Sequence, residues 1–265
     1  MRLRAALVFA LAGLMGCAKA NPRLVIKYSH AGKLLEIQEL AKGRQPGWSP
    51  DGERMVYVNQ GIRLQGVDGG EPLKINAEGE DPAFSPDGQQ LIFTQNNQIW
   101  LLNLNDMQKT LLIEKGRQPA WSPEGNTIVY VADDGIWVYD LALNKAEMLP
   151  VKGINPVWSK DGRLIYFESF DPLKLNFNIE RYDPDNKKSD QLLYDAVQPD
   201  VAKSGNYLYY SSTGIWVLDL QKMENTRLTL YGYEPAVSPD GRRLLFSYNG
   251  SIWLMDSPYD KSDDE

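Results

Sequence analysis

The sequence predicts an all-β protein, a six-bladed β-propeller of four-stranded blades whose ring is closed by an N-terminal strand. Three observations carry that prediction. One short motif recurs six times at nearly constant spacing, period-two hydrophobic alternation follows each copy, and none of the 265 residues shows sustained helical periodicity. The copies are Pro46-Gly-Trp-Ser-Pro-Asp-Gly52, Pro82-Ala-Phe-Ser-Pro-Asp-Gly88, Pro119-Ala-Trp-Ser-Pro-Glu-Gly125, Pro156-Val-Trp-Ser-Lys-Asp-Gly162, Pro199-Asp-Val-Ala-Lys-Ser-Gly205 and Pro235-Ala-Val-Ser-Pro-Asp-Gly241. Their leading prolines stand 36, 37, 37, 43 and 36 residues apart, a drift too small for chance.

Each copy opens a repeat of four strands. Pro-Asp-Gly sets a turn because proline fixes φ, aspartate bonds its own backbone and glycine accepts positive φ. An alternating run follows, such as Leu91-Ile-Phe-Thr94 or Thr127-Ile-Val-Tyr-Val131. After a polar turn comes an Ile-Trp strand closing on Asp or Asn, as in Ile136-Trp137 to Asp140 and Ile215-Trp216 to Asp219. A last short run, Thr110–Ile113 or Thr226–Thr229, completes the unit. A four-stranded unit of about forty residues cannot bury both its faces alone, so such units pack radially as propeller blades. Trp48, Trp121, Trp137 and Trp216 then fill the space between blades.

The sixth repeat ends at Asp256 after three strands, so its fourth has to come from elsewhere. Leu34–Leu40 matches the last-strand pattern and is expected to join that blade and lock the ring. Leu24–Ser29 reads as a second candidate for a third-strand position, and an extra edge strand on the rim would accommodate it.

Residues 1–16, MRLRAALVFALAGLMG, carry two arginines and then an apolar run too short to span a bilayer, the pattern of a signal peptide. Leu14-Met15-Gly16-Cys17 resembles the bacterial lipobox. That resemblance implies that Cys17 becomes the first mature residue and carries the lipid. Ala18 in place of aspartate after it implies an outer-membrane destination. Cleavage after Ala18 or Ala20, leaving a soluble periplasmic protein, is the alternative. Two or three acyl chains anchor stably where one does not. The organisation expected is a signal peptide at 1–16, a lipidated linker at 17–22, the propeller at 23–256 and an acidic, solvated tail at 257–265.

The repeat itself resembles the TolB-type propeller repeat, which also occurs in the propellers of prolyl oligopeptidase-like enzymes. The likeness spans residues 44–260 and implies a six-bladed ring. The α/β domain that precedes the propeller in TolB has no counterpart here, so the propeller alone is carried over.

Composition and motifs bear on function mainly by exclusion. Net charge is −7, and −9 once Arg2 and Arg4 leave with the leader, so phosphate backbones are repelled and nucleic acid is not an expected partner. One histidine, His30, and one cysteine cannot supply the usual ligands of a metal site. No G-x-S-x-G elbow is present. The peptidases with this repeat keep their catalytic groups in a separate domain. The expectation is therefore a protein that is not an enzyme and uses no cofactor or metal.

Two constellations remain as binding candidates. The residue before each repeat proline is polar in all six copies: Gln45, Asp81, Gln118, Asn155, Gln198 and Glu234. In a propeller these residues ring one mouth of the central channel, with Arg44 and Arg117 beside them. They could grip a peptide end, a sugar or an ion, or they could cap backbone groups where the inner strands crowd together. The fourth repeat is about six residues longer than the rest, between its second and third strands. Its Phe170, Leu173, Leu175 and Phe177 would form an exposed apolar patch on the same face. The reading is a cell-envelope scaffold, membrane-bound through Cys17, that binds a protein partner through this face. The alternative is a periplasmic protein that binds a small ligand, peptide or glycan at the channel mouth.

Overall fold

The computed structural model describes residues 25–30, 33–133 and 135–259. Cys17 and residues 260–265 lie outside them. Among the described residues there are strands and no helix, arranged as six antiparallel sheets in a ring. The innermost strands are Arg44–Trp48, Glu80–Phe84, Arg117–Trp121, Ile154–Trp158, Val197–Val201 and Tyr233–Val237. Each packs on its neighbours in chain order, and the sixth packs on the first. Blades 1 to 5 each take four consecutive strands, ordered outward from the channel. In blade 4 they are Ile154–Trp158, Ile165–Asp171, Asn176–Asp183 and Lys188–Leu193.

Blade 6 is the exception. Its strands Tyr233–Val237, Arg243–Tyr248 and Ser251–Asp256 are followed outward by Lys33–Lys42 and then Val25–His30, making five. Lys33–Lys42 runs antiparallel to Ser251–Asp256, with Ile37 opposite Met255 and Lys42 opposite Ser251. The next link, Gly43 N–H to the Gly250 carbonyl, is 2.9 Å. Val25–His30 accounts for the duplicated signal: it is an outer-edge strand, with Val25 opposite Gln38.

The two faces of the ring differ in kind. Inner strands start at the channel mouth and run to the Ser-Pro-Asp-Gly turns, so those turns form the far face. The hairpins joining second to third strands, and the links between blades, form the mouth face.

The turns explain why the motif repeats. Ser49 Oγ donates to Asp51 Oδ1 at 2.5 Å and accepts from Arg54 N–H at 2.9 Å, while Gly52 takes φ of +72°. The same serine–aspartate bond, at 2.5 Å, recurs at Ser85–Asp87, Ser159–Asp161 and Ser238–Asp240. It holds the Asp51, Asp87 and Asp161 carboxyls below the usual range.

The core is distributed between blades. Apolar residues of neighbouring sheets interlock in separate clusters, such as Val56, Ile62, Phe84, Leu91 and Phe93 between blades 1 and 2. In five of the six blades an aromatic in the second strand covers a glycine in the adjoining link, and in blade 5 the link residue is Ala196. A Cβ on Gly43 would lie 2.7 Å from the Tyr57 ring, and one on Gly153 2.5 Å from that of Phe167. Glycine is the residue that admits this approach, which sets how closely each inner strand follows its predecessor.

Candidate functional site: a hydrogen-bonded belt and an apolar half-face

The six pre-proline residues do converge on one mouth, and their geometry is more specific than a polar rim. All six have positive φ, between 49° and 55°. The residue before proline disfavours helical conformations, and non-glycine residues at positive φ are strained. Six equal departures therefore require a common cause. At each one the ladder to the second strand loses register, as between Arg44 and Gly47 in blade 1 or Ile154 and Val157 in blade 4. The N–H of each ring residue is instead donated to a side chain from the preceding blade.

Followed round the mouth, these bonds close a circle. Gln45 N–H donates to Glu234 Oε2 at 2.6 Å, Asp81 N–H to Gln45 Oε1 at 3.1 Å, and Gln118 N–H to Asp81 Oδ2 at 3.3 Å. Asn155 N–H donates to Gln118 Oε1 at 3.1 Å, and Glu234 N–H to Gln198 Oε1 at 2.9 Å. One position is relayed. Asn155 turns its amide to Glu168, so Gln198 N–H donates to Glu168 Oε1 at 2.7 Å and Asn155 Nδ2 donates to that same oxygen at 2.6 Å. Thr94 and Ser247 donate their hydroxyls to Asp81 Oδ2 at 3.0 Å and Glu234 Oε2 at 2.7 Å. The belt thus satisfies backbone donors that crowd at the axis, which are costly to leave unpaired.

Glu168 is 3% exposed, and neither motif nor composition pointed to it. The signal was there in register: its equivalents Val58, Thr94, Val131, Ser211 and Ser247 are uncharged, so a carboxylate in that strand is an anomaly once the repeats are aligned. Burial pushes the Glu168 and Asp81 carboxyls above their ordinary values, against the hydrogen bonds they accept. The two arginines beside the ring are engaged. Arg44 pairs with Glu80 at 2.5 Å on the rim, and Arg117 Nη1 donates to Gln118 Oε1 at 3.0 Å.

Below the belt lies a channel of about 700 Å³. Its wall at the next level is Gly47, Ala83, Ala120, Val157, Asp200 and Ala236, with Trp48, Trp121 and Trp158 also lining it. Asp200 is the charged member, its carboxyl pushed up by burial, and its Oδ2 accepts from Val237 N–H at 2.7 Å.

The fourth-blade insertion is an extended hairpin. Phe170 and Phe177 sit opposite each other in the two strands, ring centroids 5.2 Å apart, and the four residues Pro172 to Leu175 form the tip. Leu173 is 93% and Leu175 78% exposed. Tyr194 flanks them, with Lys174 Nζ 4.3 Å from its ring centre. A second exposed cluster was not anticipated: Leu230, Tyr231, Tyr233 and Tyr248, with the Tyr231 and Tyr248 rings stacked at 5.3 Å. Both lie on the mouth face of blades 4 to 6. The rim of blades 1 to 3 instead carries ion pairs, Arg44–Glu80 and Lys115–Asp133. Among the described residues no group of three His, Cys, Asp or Glu side chains could hold a metal ion, and no helix is long and apolar enough to cross a membrane.

Fold and site together define a six-bladed β-propeller with a belted channel mouth, similar to the propellers of TolB. A structure of a putative TolB from Agrobacterium tumefaciens superposes at TM-score 0.68 with 20% identity, covering 84% of this chain and 98% of that one. TolB from Acinetobacter baumannii gives 0.64 at 16% identity over 84% of this chain, which spans 63% of that protein's length. No protein-family model and no curated relative matches the sequence.

Two further likenesses correct an expectation. An oligogalacturonate lyase from Vibrio parahaemolyticus matches at TM-score 0.63, 8% identity and 89% and 97% coverage of this chain and that one. A gluconolactonase from Xanthomonas campestris matches at 0.68, 13% identity and 94% and 99% coverage. Enzymes are therefore built on this fold, and the expectation of a protein that is not an enzyme does not stand. The reason is physical. Linear motifs test a few chemistries, whereas a propeller mouth gathers side chains from six separate repeats. Carboxyls raised by burial, such as Asp81, Glu168 and Asp200, are groups suited to proton transfer, and a search for catalytic motifs does not single them out.

Proposed function

We propose that this chain is an envelope lipoprotein, anchored through Cys17, that binds a protein partner through the apolar half of its mouth face. The observation that carries this reading is the grouping of exposed large apolar side chains. Among the described residues nine of the fifteen, Phe170 to Tyr248 without Met223, lie on the mouth face of blades 4 to 6. Tyrosine is enriched in protein interfaces, and contiguous apolar patches are uncommon on monomers. The ring residues themselves are engaged in the belt, which turns attention from the rim to the hairpin.

Full-length tagged protein recovered from solubilised envelopes is expected to retain a specific partner that binds saturably when purified. Leu173→Asp with Leu175→Asp should weaken that binding roughly tenfold or more, about 1.4 kcal/mol. Equal binding by the double variant would remove the hairpin from the interface. Cys17→Ser is expected to abolish labelling by radioactive palmitate, and continued labelling would refute the anchor.

A second reading rests on the channel, whose Trp48, Trp121 and Trp158, with Asp200 in its wall, suit a polyhydroxylated ligand. Propellers of like fold include an oligogalacturonate lyase and a gluconolactonase. Titration with uronic-acid oligosaccharides and sugar lactones, monitored by calorimetry and by product analysis, tests it.

A further inference from the structure

Below the belt the inner strands supply a second set of donors. Where each inner strand meets its turn, a backbone N–H donates outward to the second strand: Ser49 to the Arg54 carbonyl at 2.9 Å, Ser122 to that of Thr127 at 2.9 Å and Ser159 to that of Leu164 at 2.8 Å. The same bond recurs from Ser85, Ala202 and Ser238 in the other three blades. Successive N–H groups of a strand point to opposite sides. The residue before each of these therefore aims its N–H away from the second strand and into the channel. Those residues are Trp48, Phe84, Trp121, Trp158, Val201 and Val237.

Asp200 breaks the equivalence of the six. Its Oδ2 accepts from Val237 N–H at 2.7 Å, and Val201 N–H also donates to its carboxylate. At the same position the preceding blades offer Ala236, Gly47, Ala83 and Ala120 to the N–H groups of Trp48, Phe84, Trp121 and Trp158, and none of these side chains can accept a hydrogen bond. Among the described residues, four adjacent donors in blades 1 to 4 thus open on a channel of about 700 Å³, facing one carboxylate in blade 5. Enclosed donors are costly to leave unmet, so oxygen atoms of water or of a ligand fill this arc. Trp121 and Trp158 line the same stretch and present apolar ring surface beside it.

Charge distinguishes the two ends. At the far opening the residue after the repeat serine or its equivalent is proline in four blades, but Lys160 and Lys203 in blades 4 and 5. Lys160 interacts electrostatically with Asp200, which ties that lysine to the acidic sector of the wall. The turn aspartates of the far face, Asp51, Asp87, Asp161 and Asp240, are each held by the serine of their own turn. The belted mouth instead carries the carboxyls of Asp81, Glu168 and Glu234, which disfavour the entry of an anion.

We propose that the far half of the channel is a site for an acidic sugar, entered past Lys160 and Lys203. Sugar oxygens accept from the N–H groups of Trp48, Phe84, Trp121 and Trp158, hydroxyls donate to Asp200, and the ligand's carboxylate lies toward the two lysines. The proposal rests on the channel reading given above as the second, and narrows it from polyhydroxylated ligands in general to those that carry a carboxylate. Asp200 orients the ligand, because its five equivalents have no polar side chain.

Calorimetric titration of the full-length protein at low salt, with a uronic acid trimer and with the neutral trimer of the corresponding hexose, tests this. The acidic trimer is expected to bind about tenfold more tightly, a preference that added salt should reduce. Lys160→Gln with Lys203→Gln, both on exposed side chains, should bring the acidic trimer down to the affinity of the neutral one. Asp200→Asn keeps an oxygen for Val237 N–H and should weaken both trimers about tenfold. In amide NMR spectra the acidic trimer should shift the Phe84 and Trp121 N–H resonances more than that of Val237, which already has its acceptor. Equal affinity for the two trimers would overturn the acidic-sugar site while leaving the broader channel reading in place, and binding of neither would remove both. Acidic-trimer binding that survives all three substitutions, or that leaves the Phe84 and Trp121 amides unmoved, would put the ligand elsewhere and overturn the proposal.

Discussion

A chain beginning at Gly43 is expected to lose cooperative unfolding, whereas one beginning at Lys33 should melt within a few degrees of the intact protein. The contrast follows from what each strand covers. Lys33–Lys42 pairs with Ser251–Asp256, and Ile37, 8% exposed, packs in a cluster with Trp253, Met255 and Phe246. Leu40 and Ala41 lie against the cluster that joins blade 6 to blade 1 through Met55 and Tyr57. Removing these residues uncovers both the edge of blade 6 and its seam with blade 1, and domain stabilities are only about 5–15 kcal/mol. Ile37→Ala alone should cost about 2–4 kcal/mol, the range of large-to-small changes in a packed core. Val25–His30 merely adds an outer edge, with backbone pairing to one strand. Urea unfolding followed by tryptophan fluorescence distinguishes the outcomes. If the chain from Gly43 unfolds with an unchanged midpoint, the strand is an accessory and the inner strands alone hold the ring.

The second large effect is expected at Glu168. Glu168→Ala would strand the Gln198 N–H and the Asn155 amide at the axis of the ring, each at about 1–3 kcal/mol. Glu168→Gln keeps an acceptor for Gln198 N–H and should cost far less. The pair also has a pH signature. Burial raises the Glu168 carboxyl above its ordinary 4.5. A raised folded-state pKa means that the protonated form is favoured by folding. That contribution is complete below about 4.5 and disappears as pH rises through the folded value. The stability of the native protein relative to Glu168→Gln should therefore decline from pH 4.5 upward and level off once Glu168 is ionised. Chemical denaturation of both proteins across that range measures it. A difference that is flat with pH would mean that Glu168 titrates normally and that the belt bonds offset its burial in full.

Some of this was legible in the residue order and some was not. Six copies of one motif specify six blades because each Ser-Pro-Asp-Gly turn is a local device: serine, aspartate and glycine bond within seven residues, so the motif and its structure coincide. The tip of the fourth-blade hairpin was legible for the same reason, as an excess over a fixed spacing. The ring of pre-proline residues could be placed at a mouth, but its role was ambiguous. Only the structure distinguishes a grip from a belt, since each bond that links one blade to the next joins residues 30 to 37 apart, or 189 across the seam of the ring. Glu168 escaped because the backbone N–H it accepts from, that of Gln198, belongs to the next blade. Tyr231, Tyr233 and Tyr248 escaped because they reach one surface from separate loops. The exclusion of enzymes failed on the same ground: it searched along the chain for groups that a propeller assembles across it.

By itself, then, the sequence determined what depends on near neighbours: the number of blades, their turns, the alternation of their strands and the place where one blade is longer. Tertiary structure decided what depends on closing a circle. It settled that Lys33–Lys42 lies on the last blade, that the polar ring is spent on backbone donors, and that apolar side chains gather on one half of one face. Local bonds are encoded by spacing along the chain. Contacts across the axis arise only when six sheets meet at a radius that their glycine and aromatic pairs impose.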